Sequence, residues 1–159
     1  MEQIIIQPVT TENWEEAIEI SVSEEQRNFV PSVIESLAYA YIKPWDEALD
    51  PFVQSINGKI IGFFYISYTP HSSDNYWIGG FQIDQKHQWK GYGKKAMVAI
   101  IKFIRECHPN CRLISLTVAQ ENLIAQNLYE GIGFIRGHRS NQDGEIIYTM
   151  QLNSTVFIS

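Results

Sequence analysis

Residues 88–94, "QWKGYGK", hold two glycines two positions apart, flanked by Lys90 and Lys94 and preceded by Gln88 and Trp89. They stand between a strand-like run and a helix-like run. Such a loop suits an anion. Amides at a helix start lack intrahelical partners, the helix dipole adds positive potential, and missing side chains let a phosphate reach the backbone. The same residues would also serve as an ordinary turn followed by a solvated helix start. The phosphate loop G-x-x-x-x-G-K-[ST] is absent, and so is the third glycine of the dinucleotide fingerprint. A second cluster of reactive types is "CHPNC", with Cys107, His108 and Cys111. Three donors within five residues, with no second cluster, make poor zinc geometry, so two free thiols and no metal are expected. A third cluster is acidic. Glu24, Glu25, Glu35, Asp46, Glu47, Asp50 and Asp74 are interleaved with Phe29, Tyr39, Tyr41 and Trp45, with Arg27 and Lys43 as cations. Carboxylates with aromatic faces suit a cationic ligand, and they equally describe an acidic helix pair with core aromatics.

The elements that must position these residues follow from pattern. Residues 3–9 read as a short strand stopped by Pro8. A helix follows, with Thr10 or Thr11 as N-cap and Trp14, Ala17, Ile18 and Val22 on one face. Pro31 opens a second helix that stops before Pro44. From Phe52 the period changes to two β-rich runs joined by Asn57-Gly58, a hairpin signal. "YWIGGFQID" is a further strand whose two glycines suggest a bulge or a close backbone approach. After the glycine loop, Met97, Ile100, Ile101 and Ile104 recur at helical spacing. "CRLISLTV" reads as a buried strand, and "NLIAQNLYEGIG" as a short helix with Asn122 as N-cap. A hairpin turning at Asp143-Gly144 ends the pattern. The order β-α-α-β-β-β-α-β-α-β-β predicts one α/β domain over residues 1–159 with a mixed sheet.

Composition bounds the rest. The chain has 159 residues, 45% hydrophobic and 19% charged, enough for one real core. A net charge of -6 argues against a nucleic-acid surface, which needs a basic stripe, and leans toward a neutral or cationic small partner. The start, "MEQIIIQPVT", has no basic n-region, and no stretch approaches the roughly 18 apolar residues of a membrane span. A cytoplasmic protein is expected.

"IDQKHQWKGYGKKAM" resembles the acetyl-CoA loop of the GCN5-related N-acetyltransferases, with Q/R-x-x-G-x-G/A opening a helix. About thirty residues on, "ENLIAQNLYEGIGF" resembles that family's N-x-x-A-x-x-L-Y-x-x-x-G-F, with Asn122, Ala125, Leu128, Tyr129, Gly133 and Phe134 in register. The element order is similar too. The resemblance implies a mostly antiparallel sheet of about seven strands with about four helices, splayed between the fourth and fifth strands. It implies acetyl-CoA as cosubstrate, with pantetheine against the backbone of Phe81, Gln82 and Ile83. Gln88, Trp89, Lys90, Gly91, Tyr92, Gly93 and Lys94 would wrap the pyrophosphate, and Asn122 would contact the pantetheine. Tyr129 would sit beside the sulfur as general acid, and the Ile83 amide would be the oxyanion donor.

Acetyl transfer to an amine also needs a proton acceptor. Glu24, Glu25, Glu35, Asp74 and His71 are all candidates, and the pattern does not choose among them. The stretch "SEEQRNFVPSVIESLAYAYIKPW" resembles the corresponding part of bacillus-type spermine/spermidine acetyltransferases. That resemblance implies a polyamine acceptor, and from the acidic cluster Glu24, Glu35 and Asp74 are expected as substrate contacts. After Trp45, "DEALDPF" departs from that pattern. The same chemistry on another primary amine (an amino acid, an aminoglycoside, a peptide N-terminus) and a non-catalytic acyl-CoA sensor are the alternatives. A homodimer using the tail "NSTVFIS" is a further expectation.

Overall fold

The computed structural model describes residues 3–45, 47–69 and 75–152. Seven strands form one sheet in the order β1-β2-β3-β4-β5-β7-β6. They are β1 (Ile5–Pro8), β2 (Ala48–Ile56), β3 (Lys59–Tyr68), β4 (Asn75–Ile83), β5 (Leu113–Val118), β6 (Ile135–Ser140) and β7 (Ile146–Gln151). All neighbours are antiparallel except β4 and β5, which run parallel. The helices are α1 (Trp14–Ala17), α2 (Val33–Ile42), α3 (Tyr92–Cys107) and α4 (Leu123–Ile132). The order matches the pattern read from the chain.

Each face of the sheet has its own core. Met97, Ile100, Ile101 and Ile104 of α3 and Tyr129 of α4 pack on Phe64, Ile66, Ile78, Leu116 and Tyr148. On the opposite face Ala17, Ile20 and Val33 pack on Val53 and Phe63, with Tyr65 beside them. The α3 stripe recurs every three to four residues, so one side of that helix is apolar and the other solvated.

Turn chemistry explains the hairpins. Asn57 (φ 52°) and Gly58 (φ 79°) are both left-handed, the conformation a two-residue hairpin requires. At the β6–β7 end only Gly144 is left-handed (φ 79°). Asn141 Oδ1 accepts from the amides of Asp143 and Glu145, so the turn is longer than a two-residue Asp143-Gly144 link.

Other expectations shift. The first helix is one turn, not three, and Asn13 is its N-cap in place of Thr10 or Thr11. Asn13 Oδ1 instead accepts from the Thr10 amide, and after Ala17 the bonds tighten to i→i+3, ending the helix. Trp14 is 44% exposed, and Ile20 takes the buried place expected of it. The second helix begins two residues later than Pro31 suggests, at Val33. Ser32 accepts from the Glu35 amide and Glu35 from the Ser32 amide, a reciprocal cap. Strand β2 begins at Ala48 rather than Phe52: Pro51 pairs with Tyr65 of β3, and its carbonyl accepts from the Val9 amide at 3.1 Å just past the end of β1.

Among the described residues no helix is long and apolar enough to cross a membrane. Cys107 is exposed and Cys111 buried, with no disulfide between them. No group of three or more His, Cys, Asp or Glu side chains is gathered among the described residues. The tail after Leu152 lies outside them, as do Asp46, His71 and Asp74.

Candidate active site in the gap between β4 and β5

The parallel pairing of β4 and β5 covers only Asn75–Trp77 against Leu113–Ser115. Beyond it the strands part. A bulge sets the parting, since Gly80 and Phe81 together oppose Phe64 of β3, and Gly80 is left-handed (φ 61°). A cavity of about 420 Å3 fills the gap. Phe81, Gln82, Ile83, Gln88, Trp89, Gly93, Asn122 and Tyr129 all lie in its wall. Lys90, Gly91, Tyr92 and Lys94 belong to the same turn without forming wall, and Lys90, Gly91 and Lys94 are exposed. Glu24 and Glu35 are exposed and outside the wall. Asp50 is not near it either, because its carboxylate accepts from the Tyr68 hydroxyl at 3.0 Å within the sheet.

The glycine loop is built as a helix start facing the gap. Gly91 is the N-cap of α3 with φ 80°, and no side chain caps the helix. A Cβ on Gly91 would meet nothing within 4 Å, and one on Gly93 only Leu128 Cδ2 at 3.6 Å. Both glycines therefore leave open space rather than accommodate neighbouring protein. Trp89 is also left-handed (φ 64°) and 79% exposed, a conformation that costs roughly 1–2 kcal/mol outside glycine. The Gln88 side chain holds this loop, donating to Ile83 O and to Gln26 Oε1, both at 2.9 Å.

On the opposite wall, Asn122 Oδ1 caps α4 by accepting from the Ala125 amide at 3.2 Å. Its Nδ2 has no partner among the described residues. Tyr129 is 8% exposed and packs edge-on against Phe134 and Tyr148. Its hydroxyl makes no hydrogen bond among the described residues, and the residue is part of the cavity wall. Burial pushes its pKa well above the ordinary phenol value, so the group stays a proton donor at neutral pH. Gln82 is spent structurally, as its Nε2 donates to the carbonyls of Pro31 at 3.0 Å and Gly80 at 3.1 Å, tying the bulge to the entry of α2.

The half of the cavity facing α2 is aromatic. Tyr39, Trp45, Tyr65 and Phe29 line it, and Tyr39 meets Trp45 edge-on at 4.9 Å. Tyr39 also donates to Glu35 Oε2 at 3.3 Å, so Glu35 approaches this half through a phenol. Glu145 is the one charged side chain in the wall among the described residues. Tyr65 and Glu145 carried no sequence motif. The signal for Tyr65 was Gly79-Gly80 on the next strand, because a Cβ on Gly79 would fall on the Tyr65 ring. The glycines make room for that ring.

Several known proteins share this architecture. A spermine/spermidine N(1)-acetyltransferase of Bacillus subtilis (strain 168) is 28% identical over 158 residues, covering 94% of this chain and 99% of the relative. The aminoglycoside acetyltransferase AAC(6')-Ib, solved with coenzyme A, superposes with a TM-score of 0.76 at 16% identity, covering 96% of each chain. Spermidine N-acetyltransferase from Vibrio cholerae, solved with CoA and spermine, gives 0.69 at 18% identity, covering 94% of this chain and 95% of that one. The profile described as Acetyltransferase (GNAT) family matches residues 14–134, from α1 through α4 and including both walls of the gap. The chain belongs to the acetyltransferase (GNAT) family and is an acetyl-CoA-dependent N-acetyltransferase.

Proposed function

We propose that this enzyme acetylates a primary amine of a polyamine such as spermidine or spermine. The observation that carries the reading is the aromatic half of the cavity. Its described wall holds four rings and a carboxylate, with no lysine, arginine or histidine to repel a cation. The relationship to a spermine/spermidine acetyltransferase along nearly the whole chain supports the same class.

Each named residue then has a task. The amides at the start of α3 and the turn from Gln88 to Lys94 bind the pyrophosphate, where Gly91 and Gly93 keep the approach open. The backbone of Phe81, Gln82 and Ile83, unpaired on its β5 side, takes the pantetheine as an added strand would be taken, and Asn122 Nδ2 donates to it. Acetyl-CoA supplies an activated acyl group on a thiol leaving group. Tyr129 holds a proton on its hydroxyl and gives it to the departing sulfur. Of the acidic residues expected on the amine side, Glu35 reaches the aromatic half by way of the Tyr39 hydroxyl, Glu24 is exposed outside the wall, and Asp74 lies outside the described residues.

A thiol-release assay over a panel of amines tests this. Turnover with spermidine or spermine at lower KM than with amino acids or an aminoglycoside is expected. Turnover of one of those others, with none of any polyamine, would overturn the substrate class.

A further inference from the structure

The β6–β7 hairpin reaches the cavity with one residue, Glu145. Strand parity accounts for its direction. Ile146 and Tyr148 point into the core beside α3 and α4, together with Leu116 and Val118. Alternate residues of a strand face opposite ways, so Glu145 projects toward the other face, where Tyr65 packs. Tyr129 approaches the gap from the α4 side. Glu145 and Tyr129 thus flank one cavity from opposite faces of the sheet.

The carboxylate is held rather than loose. The Asn141 amide donates to Glu145 O at 3.0 Å, and the Glu145 amide donates to Asn141 Oδ1 at 2.9 Å. Asn141 Nδ2 donates to Glu145 Oε1 at 2.9 Å, and Gln120 Nε2 fastens the turn through Gly144 O at 3.0 Å. The second carboxylate oxygen, Oε2, has no partner among the described residues. Tyr39, Tyr65 and Glu145 all line this cavity, and burial first, then the charges of Tyr39 and Glu145, push the Tyr65 phenol up to about 12.

We infer that Glu145 receives a second, non-reacting ammonium of the substrate, walled by the rings of Tyr39, Tyr65 and Trp45, and so selects amines carrying more than one positive charge. The reacting nitrogen must be neutral to attack. A carboxylate beside it would favour its protonated form, whereas a distal ammonium gains a charge-assisted hydrogen bond and ring contacts. The inference rests on the polyamine reading for the kind of substrate, and on the geometry of the hairpin for the residue.

Glu145→Gln removes the charge and leaves an amide oxygen to accept from Asn141. Steady-state kinetics with spermidine and with butylamine, which carries one charge, test it. KM for spermidine is expected to rise about 10- to 100-fold, with KM for butylamine and for acetyl-CoA within about twofold, and Glu145→Asp to recover part of the loss. A spermidine KM within about twofold of wild type would overturn the assignment. So would an equal fall in kcat for both amines at unchanged KM, which marks a proton acceptor instead. If the wild-type enzyme acetylates no polyamine, the substrate proposal fails by itself. The same Glu145→Gln comparison, run between a multiply charged amine it does accept and a monoamine, still decides the role of Glu145.

Discussion

In the proposed mechanism a single phenol ties the fold to the chemistry. Tyr129 is buried edge-on against Phe134 and Tyr148, in the wall of the cavity, and its hydroxyl has no partner among the described residues. Tyr129→Phe keeps the packing and removes the donor. The expected result is a kcat lower by about 10- to 1000-fold, with coenzyme A affinity within a few-fold by calorimetry. Because burial raises its pKa, ionisation of this phenol should cause no loss of kcat below pH 10, and a pH–rate profile checks that. Tyr65 gives a second titration, pushed up to about 12 by burial first and then by Tyr39 and Glu145. Below pH 10 the phenol is protonated in both folded and unfolded chains, so its contribution is constant. Between 10 and 12 the unfolded chain loses the proton first, and stability falls as pH rises, by roughly 1 kcal/mol at pH 11. Urea denaturation at pH 8 and pH 11 should show a smaller alkaline loss in Tyr65→Phe than in wild type.

The elements carry two separable functions, one at the start of α3 and one along α2. Gly93 lies inside α3 with helical backbone, and a Cβ there would make only an ordinary contact with Leu128. Gly93→Glu puts a long acidic side chain into that opening at a position where the helix start tolerates an acid, so it should change stability by less than about 1 kcal/mol while weakening coenzyme A binding at least tenfold. Gly91 is a poorer probe, since its φ of 80° strains any side chain whatever the ligand does. On α2, Ser32→Ala removes the reciprocal cap. A loss of about 1 kcal/mol in denaturant unfolding is expected, with KM for the amine rising through the frayed support of Tyr39 and KM for acetyl-CoA unchanged. The sequence was plain about α3 and α4, whose apolar spacing and Asn122 cap are local signals. It was misleading about α1, where apolar spacing continued past Ala17 but the backbone tightened into single turns. It was silent on the left-handed Trp89, because nothing in the residue type demands that conformation. The side chain of Gln88 holds the turn around it.

Across the whole molecule, legibility follows sequence distance. The element order could be read because each element has its own period, and the glycines of β4 mark the bulge, whereas the β4–β5 gap was an implication of the family resemblance. The wall near Glu145 could not be read, because it joins α2, β3 and the β6–β7 hairpin, stretches that only the folded sheet brings together. Acidic residues abundant near the N-terminus drew attention by number, yet Glu24 and Glu35 lie outside the wall that Glu145 enters. The sheet keeps the two halves of the reaction apart. In the proposed reading, donor contacts gather on β4, the glycine turn and α4, and amine contacts on α2, β3 and the hairpin. The central claim is that the gap between β4 and β5, completed by the start of α3, holds acetyl-CoA against Tyr129. Titration of coenzyme A into the folded enzyme by calorimetry tests it most directly. A saturable heat with one site per chain, largely abolished in Gly93→Glu of equal thermal stability, is the expected result. No heat from the well-folded wild-type protein, or undiminished binding by the variant, would contradict it.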